Sequence, residues 1–473
     1  AREPKLIFNP SLEKKVLKQS KIDYSKKVIK ITNSELESHK SFLKSELNRL
    51  ETILEGVMML REVTPKATAK VSGYGERLSS TIIYEIFKHK GFDVVLKDGR
   101  ELIVTQIQNN RSVVNWKNTE IKTKQFFKSN TAKTTLVPGF VARNEQGDST
   151  TLGRGGSDFS AAILAHVLEA NSLEIWTDVS GMFTANPKLV TQAKPIPKLS
   201  YLEAMELSHF GAKVLYPPTI QPVLRKNIPI LIKNTFEPEA VGTYISNEVV
   251  VQTNPVKGIS HIDNIALLTL EGPGMVGVSG SSKRLFEVLS QESINVIFIT
   301  QASSEHSICI GILNSDAETA EIAINKAFEV EIVQNKIDPC IVENNLCIIA
   351  LVGENMKNHQ GLSGRMFSTL GKNNVNIRAI AQGASERNIS AVINERDVKK
   401  ALNTLHENFF EENTKQLNLF VMGVGNVGEK FIEQIHQQKK FLKENLKINL
   451  RVVALSNSRK MHFDEDGISL KDW

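Results

Sequence analysis

The sequence predicts an α/β protein built from several domains, and three observations carry the prediction. Strand-sized apolar runs alternate with helix-period segments across glycine turns, the grammar of a parallel sheet. Residues 259–410 contain an internal repeat, which points to duplicated supersecondary units. A G-x-G-x-x-G turn between a strand and a helix opens a last unit near residue 417. At 473 residues, and with about 150 residues to a domain, the chain has room for roughly three.

Taken in order, Ser34 and Glu37 have the spacing of a capping box. Leu43, Leu47, Leu50, Leu54 and Val57 then recur at helical spacing, which predicts a core-facing stripe. Ala69 to Ser72 leads into Gly73-Tyr74-Gly75-Glu76, read as a glycine turn. A helix follows with Leu78, Ile82 and Ile86 on one face, then a strand from Phe92 to Leu96. Leu136 to Phe140 resumes as strand and turn. Thr150 to Asp158 is glycine-rich and opens a helix bearing Phe159, Ile163 and Val167. Leu173 to Thr177 reads as a buried strand ending in Asp178, Ser200 and Glu203 cap a helix to about Phe210, and Ile228 to Lys233 is a further strand. The segment to about residue 250 is thus one α/β domain.

In the repeat, Asn295 to Ile308 aligns with Asn376 to Ile389, and six of the fourteen positions are identical. Each copy has a strand before it, a helix between, and a second strand and helix after it. That order is βαββαβ, the ferredoxin-like unit. Beyond it, Leu417 to Met422 is a strand, Gly423 to Gly428 the glycine turn, Glu429 to Lys439 a helix and Asn449 to Leu455 a second strand.

Composition narrows the function. Hydrophobic residues make up 41% and charged residues 23%, values that exclude collagen-like, mucin-like and wholly disordered chains. The net charge is +6 with both signs interspersed, so no basic block argues for nucleic acid. The longest apolar runs, such as Leu346 to Val352, are strand-sized, and no membrane span is expected. The start, Ala1-Arg2-Glu3-Pro4, lacks the apolar stretch of a targeting segment. Cys309, Cys340 and Cys347 are too few for a disulfide framework or a four-thiolate zinc site. They read as free thiols in a reducing cytoplasm, and no metal site is expected. The chain starts without Met and stops at Trp473, as a piece of something longer would.

The chemistry concentrates in a few places. Glycines around Arg154 let backbone N–H groups approach an anion at the mouth of a helix. Arg154 supplies a planar fork for carboxylate or phosphate, and Asp158 stands ready to orient a metal or substrate. Glu76 is read either as a helix N-terminal cap or as an acceptor for a substrate ammonium. Thr177 and Asp178 lie at the carboxyl end of a strand, where open α/β sheets bind ligands. Lys213 either reaches phosphates or caps a helix C-terminus. Gln301 and Gln382 follow Asn295 and Asn376 at the same spacing, and their amides on strand ends suit an amino-acid ligand. No acid closes the strand after the G-x-G-x-x-G turn; Ser456 to Lys460 stands there, which favours NADP with Arg459 near the 2′-phosphate.

These residues carry a family resemblance. TTLGRGGSD (150–158), EIWTDVSGMFTANP (174–187) and SYLEAMELSHFGAKVLYP (200–217) resemble aspartate kinase of the amino-acid kinase, carbamate-kinase-like fold. The repeats resemble its paired ACT domains. Residues 417–428 resemble the start of homoserine dehydrogenase, a partial Rossmann unit. The order resembles the bifunctional aspartokinase–homoserine dehydrogenases from about Glu35 to Trp473. The implied domains are a kinase over 1–250, paired ACT domains over 251–413 and the start of a dehydrogenase over 414–473.

The resemblance implies phosphoryl transfer from Mg-ATP to the side-chain carboxylate of L-aspartate. It implies that Glu76 holds the ammonium and Arg154 the carboxylate, with Asp158 organising the transfer site. Thr177, Asp178, Phe183, Lys188 and Lys213 would contact the nucleotide, Lys213 through its phosphates. The family often has tyrosine where Phe183 stands. Asn295, Gln301, Asn376 and Gln382 would line effector sites for threonine. Gly423, Gly425, Asn426, Val427, Gly428 and Arg459 would bind NADP, although a complete dehydrogenase would extend past Trp473. A homo-oligomer joined through ACT domains is implied too. One departure stands out: the family's opening strand and K-F-G-G-T-S loop are not recognisable, and Lys5 to Pro10 is not such a loop. That leaves a second reading, an amino-acid-sensing and assembly fragment with a degenerate kinase domain.

Overall fold

The structure, a computed structural model, describes residues 33–473 apart from 109–110, 210–213, 248–253, 276–279, 302–305, 384–386, 412–414, 447, 466 and 471–473. The chain divides into two units: one holds residues up to 182 together with 195–252, the other 183–194 together with 253–473.

The first unit opens with helices α1 (Asn33–Leu60) and α2 (Pro65–His89). Thr64 starts α2: its hydroxyl accepts a hydrogen bond from the Ala67 N–H at 3.1 Å, and Pro65 sits where a missing N–H costs nothing. The helix runs straight through Gly73–Glu76, so the glycine turn read there is absent. Gly73 serves close packing instead. A Cβ on it would come within 2.9 Å of Val141 Cγ1, and glycine is what lets the helix lie against the neighbouring strand.

The apolar stripe of α1 is a second correction. Leu47 is 53% and Leu54 48% exposed, and Ile82 and Ile86 of α2 are exposed as well. Buried on α1 instead is Glu46, paired with Arg49 and with Arg77 of α2. Helical periodicity names a face; it does not supply the element that covers it.

The strands of this unit are β1 (Val94–Leu96), β2 (Val104–Gln108), β3 (Arg111–Val114), β4 (Thr134–Leu136), β5 (Val141–Asn144), β6 (Ser149–Thr151), β7 (Leu173–Thr177), β8 (Lys198–Ser200), β9 (Ile230–Asn234) and β10 (Thr243–Ser246). Among the described residues they form three separate sheets, β1-β4, β3-β2-β5-β6 and β7-β9-β10-β8. Helices α3 (Trp116–Ser129), α4 (Gly156–Leu168) and α5 (Tyr201–His209) connect them. The capping box at Ser200 and Glu203 forms in both directions, with N–H···O distances of 3.1 and 3.0 Å.

The second unit is built on the repeat. Its elements are β11 (Gly258–Glu271), α6 (Ser281–Gln291), β12 (Phe298–Gln301), β13 (Ser307–Leu313), α7 (Ala317–Ala327), β14 (Ile341–Val352), α8 (Leu362–Lys372), β15 (Ile377–Gln382), β16 (Asn388–Asn394) and α9 (Val398–Phe410). They make one six-stranded sheet, β12-β13-β11-β14-β16-β15. Each of the two long central strands changes course at an asparagine in the left-handed region, Asn264 (φ 59°) and Asn345 (φ 58°). Asparagine is among the few side chains that tolerate this conformation.

The two halves of each long strand serve different repeats. Residues 341–343 pair with 267–269 and complete the first repeat, whereas 258–262 pair with 348–352 and complete the second. The second repeat therefore takes its fourth strand from before the first, and not from the segment after α9 as simple βαββαβ order predicts. Every residue from Leu346 to Val352 is buried, because that strand is covered on both faces. The unit ends with β17 (Lys415–Met422), α10 (Asn426–Asn445), the parallel β18 (Ile448–Ser456) and β19 (Met461–Phe463).

Candidate active site

The turn from β6 into α4 is built by glycine chemistry. Gly153 (φ 73°) and Gly155 (φ 68°) occupy the left-handed region, and a Cβ on Gly155 would enter the Tyr216 ring. A Cβ on Gly156 would come within 2.8 Å of Phe140. No side chain caps α4, and its Gly156 N–H donates to the Gly153 carbonyl at 3.0 Å; an uncapped N-terminus favours an anion. The turn is braced from behind. Ser160 Oγ accepts from the Phe140 N–H at 2.9 Å and donates to the Gly156 carbonyl at 2.8 Å. Thr105 and Thr150 share a hydroxyl contact of 2.7 Å.

Glu76 meets this turn from α2. The Ser157 hydroxyl donates to Glu76 Oε1 at 3.2 Å, while Oε2 is buried without a hydrogen-bond partner. Burial pushes the carboxyl up to about 7, and the Ser157 hydrogen bond only partly opposes it. Glu76 lies well inside α2, so the N-terminal capping reading fails. Asp158, one residue past Ser157, is buried in the first turn of α4, and Arg154 is exposed on the glycine turn. The structure thus brings Glu76 to the same turn as Arg154 and Asp158. Ser157 makes the link, and nothing in the sequence pairs it with a residue so far upstream.

Thr177 ends β7 and Asp178 follows it directly. Thr177 Oγ1 donates to Asp178 Oδ1 at 3.1 Å, and the Thr177 carbonyl accepts from the Thr235 N–H at 2.8 Å. Asp178 is exposed. Phe183, half-buried, and Lys188, exposed, belong to the second unit. Lys213 lies outside the described residues.

In the second repeat a pocket of about 270 Å³ opens at the start of α8, lined by Met356, Lys357, Leu362, Ser363, Gln382 and Ile389 among others. The Ser363 hydroxyl donates to Gln382 Oε1 at 2.9 Å. Asn376 is exposed just before β15 and does not line it. In the first repeat Gln301 and Asn295 are exposed, and 302–305 beside Gln301 lie outside the described residues.

The G-x-G-x-x-G turn forms as predicted between β17 and α10. Gly423 is left-handed (φ 94°), and a Cβ on Gly428 would collide with the Gly423 carbonyl, whereas Gly425 faces open space. That is a cradle a pyrophosphate can approach. Asn426 and Val427 begin α10, and Arg459 is exposed beyond β18 on a turn held by Asn457 Oδ1. All three cysteines are free, and burial holds the Cys340 thiol up at about 12. Among the described residues no three His, Cys, Asp or Glu side chains group as metal ligands, and no helix is long and apolar enough to cross a membrane.

Comparison with known proteins follows this division. The Amino acid kinase family matches residues 13–234, and the ACT domain family matches 268–328 and 349–409. The bifunctional aspartokinase/homoserine dehydrogenase of Haemophilus influenzae is 40% identical over 93% of the chain, and a chloroplastic bifunctional enzyme of Arabidopsis thaliana 37% over 94%. The chain spans 54% and 49% of those relatives, about half their length. The lysine-sensitive aspartokinase 3 of Escherichia coli is 30% identical over 76% of this chain and 81% of its own. Crystal structures of E. coli aspartokinase III are similar in fold. The R-state complex with aspartate and ADP has a TM-score of 0.67 at 28% identity, over 79% of this chain and 82% of that one. The T-state complex with lysine and aspartate has a TM-score of 0.61 at 27% identity, over 80% and 88%. With its glycine turn, its paired ACT repeats and these relatives, the chain belongs to the aspartokinase family and aligns along more than nine-tenths of its length with the aspartokinase–homoserine dehydrogenase fusions.

Proposed function

We propose that this chain is the aspartate kinase and regulatory part of such a fusion, with a kinase over 1–250, ACT domains over 251–413 and the beginning of the dehydrogenase over 414–473. The observation that carries the reading is the meeting of Glu76 with the Ser157 turn. A buried carboxylate with one open oxygen is an acceptor for an ammonium group. Arg154 takes the α-carboxylate of L-aspartate, and Asp158 and the uncapped N-terminus of α4 frame the transfer site. Thr177, Asp178, Phe183, Lys188 and Lys213 hold ATP, which arrives with Mg²⁺. The attacking side-chain carboxylate is already ionised at neutral pH, so no general base is needed. Catalysis rests on positioning the two substrates and on neutralising charge across the phosphoryl oxygens.

Glu76 gives this a pH signature. Its folded pKa of about 7 means that ammonium binding must first remove a proton at lower pH. Aspartate affinity is expected to fall as pH drops below about 7. Glu76→Gln weakens binding at pH 8 and flattens that dependence, which isothermal titration at pH 6 and pH 8 measures.

Threonine is the proposed effector, taken by Gln301 and Gln382 with Asn295 and Asn376 nearby. Gly423, Gly425, Asn426, Val427 and Gly428 would cradle the pyrophosphate of NADP, with Arg459 at the 2′-phosphate. NADP supplies hydride chemistry that belongs to the complete dehydrogenase. Association through ACT domains and a cytoplasmic location complete the reading.

The unrecognised K-F-G-G-T-S loop favours a second reading, a sensing fragment without turnover. Hydroxylamine trapping of aspartyl phosphate, with Mg-ATP and aspartate, separates the two. Hydroxamate formed by the wild-type chain and lost in Arg154→Ala supports the kinase. A folded chain that binds threonine and forms none is the fragment.

A further inference from the structure

The two cores of the repeat differ in what they contain. Each takes in residues at or just before the start of the strand lent to it, Ile337 and Cys340 in the first repeat and Val256 and Ile259 in the second. The second core contains more. Ala185 and Val190 are buried in it, and Leu189 and Ala193 pack against it. These residues come from neither repeat; they follow Asp178 by 7 to 15 positions.

Hydrogen bonds fix this segment. The Thr184 carbonyl accepts from the Ile259 N–H at 2.7 Å. Thr184 Oγ1 accepts from the Lys194 N–H at 2.9 Å and lies 2.8 Å from Nε2 of the fully buried His406. Asn403 Nδ2 donates to the Leu189 carbonyl at 2.9 Å. Asn403 and His406 both stand on α9. At the matching positions of α7 the first repeat has Ile322, 63% exposed, and Asn325, which accepts from the Cys340 N–H at 2.8 Å. Among the described residues the core of the first repeat holds no such segment.

We propose that Thr184, Asn403 and His406 are positioning residues for the nucleotide: through them α9 of the second repeat fixes the segment that presents Phe183 and Lys188. The inference rests on the nucleotide-binding role given to those two residues above. It also makes the repeats unequal as regulators. Helix α9 packs on α8, where the Arg365 guanidinium lies 4.6 Å from the Phe409 ring centroid and hydrogen-bonds Asn408. Helix α8 carries Ser363, bonded to Gln382 in the pocket. A ligand that takes over the Gln382 amide acts on α8, and α8 on the helix that holds 183–194.

The test compares His406→Leu, which removes the hydrogen bond, with His406→Gln, whose amide restores it. Asn403→Ala, at a half-buried site, serves if His406→Leu does not fold. Two quantities are read on the whole chain: amide hydrogen exchange over 184–194, and the affinities for Mg-ADP and for aspartate. Loss of protection in 184–194 is expected for His406→Leu and Asn403→Ala, and retention for His406→Gln. ADP affinity is expected to fall roughly five- to tenfold in the first two, the size of one buried hydrogen bond, with aspartate affinity unchanged. Unaltered protection in 184–194 overturns the positioning role. Lost protection with unaltered ADP affinity overturns its link to the nucleotide. A wild-type chain that binds no ADP overturns the nucleotide assignment of Phe183 and Lys188, and the exchange data then still decide whether α9 fixes the segment.

Discussion

The first and second repeats superimpose in number at a constant offset of 81 residues. Asn264 and Asn345 are both left-handed, as are Gly280 and Gly361 at the starts of α6 and α8. Arg284 lies over Phe328 as Arg365 lies over Phe409. Leu285 and Leu289 face their core as Met366 and Leu370 face theirs. What differs is local. Residues 276–279 of the first repeat read Val-Gly-Val-Ser where 357–360 of the second read Lys-Asn-His-Gln, and only the second core admits residues 185–193. A duplicated fold preserves what keeps each copy folded, the caps, turns and packing, and leaves room for one copy to gain a partner.

The largest expected effect comes from emptying the cores. Ile324→Ala and Leu405→Ala remove matching, fully buried side chains, and each is expected to cost about 2–5 kcal/mol in chemical denaturation. Only Leu405→Ala should also expose 184–194 to hydrogen exchange. Equal exposure of that segment in both variants breaks the comparison.

Acid sharpens it next. Burial, with Lys194 nearby, holds His406 down at about 4, below the ordinary histidine value near 6.5. The folded protein therefore binds fewer protons than the unfolded chain between those values, and stability is lost as pH falls through that window. The loss amounts to about 3 kcal/mol and belongs to the second repeat, because Asn325 does not titrate. Hydrogen exchange at pH 7 and pH 5 should show α9 weakening more than α7, and His406→Gln should remove the difference.

Smaller effects should be shared. Gly280→Ala and Gly361→Ala place a side chain in a left-handed cap where the added Cβ meets open space, so the cost is conformational, about 1–2 kcal/mol in each. Arg284→Ala and Arg365→Ala each forfeit a cation–π contact of about 0.5–1 kcal/mol. Thermal melts that separate the members of either pair by much more than this would show that the repeats do not share a scaffold.

The sequence made these repeats legible because their alignment needs no gap and their strands are continuously apolar. It also exposed the turn at 150–158, since glycines that dense around an arginine serve no helix or strand. Two features escaped it for physical reasons. Gly73 and Gly75 look like a turn, yet Gly73 is there to let a helix close on Val141, and a single sequence does not distinguish conformational from steric use of glycine. The capture of 183–194 by the second repeat depends on contacts such as Thr184–His406, spanning 222 residues, and no local pattern announces a contact of that range. The stripe of α1 failed differently: the period was right, but Leu47 and Leu54 stay about half exposed.

The central claim is that the second repeat, and not the first, is tied to the segment bearing Phe183 and Lys188. The direct measurement is amide exchange over 184–194 with and without threonine in Gln301→Ala and Gln382→Ala. The account predicts that threonine changes protection of this segment in the wild type and in Gln301→Ala, and that Gln382→Ala abolishes the change. A threonine response that survives in Gln382→Ala but disappears in Gln301→Ala would contradict it.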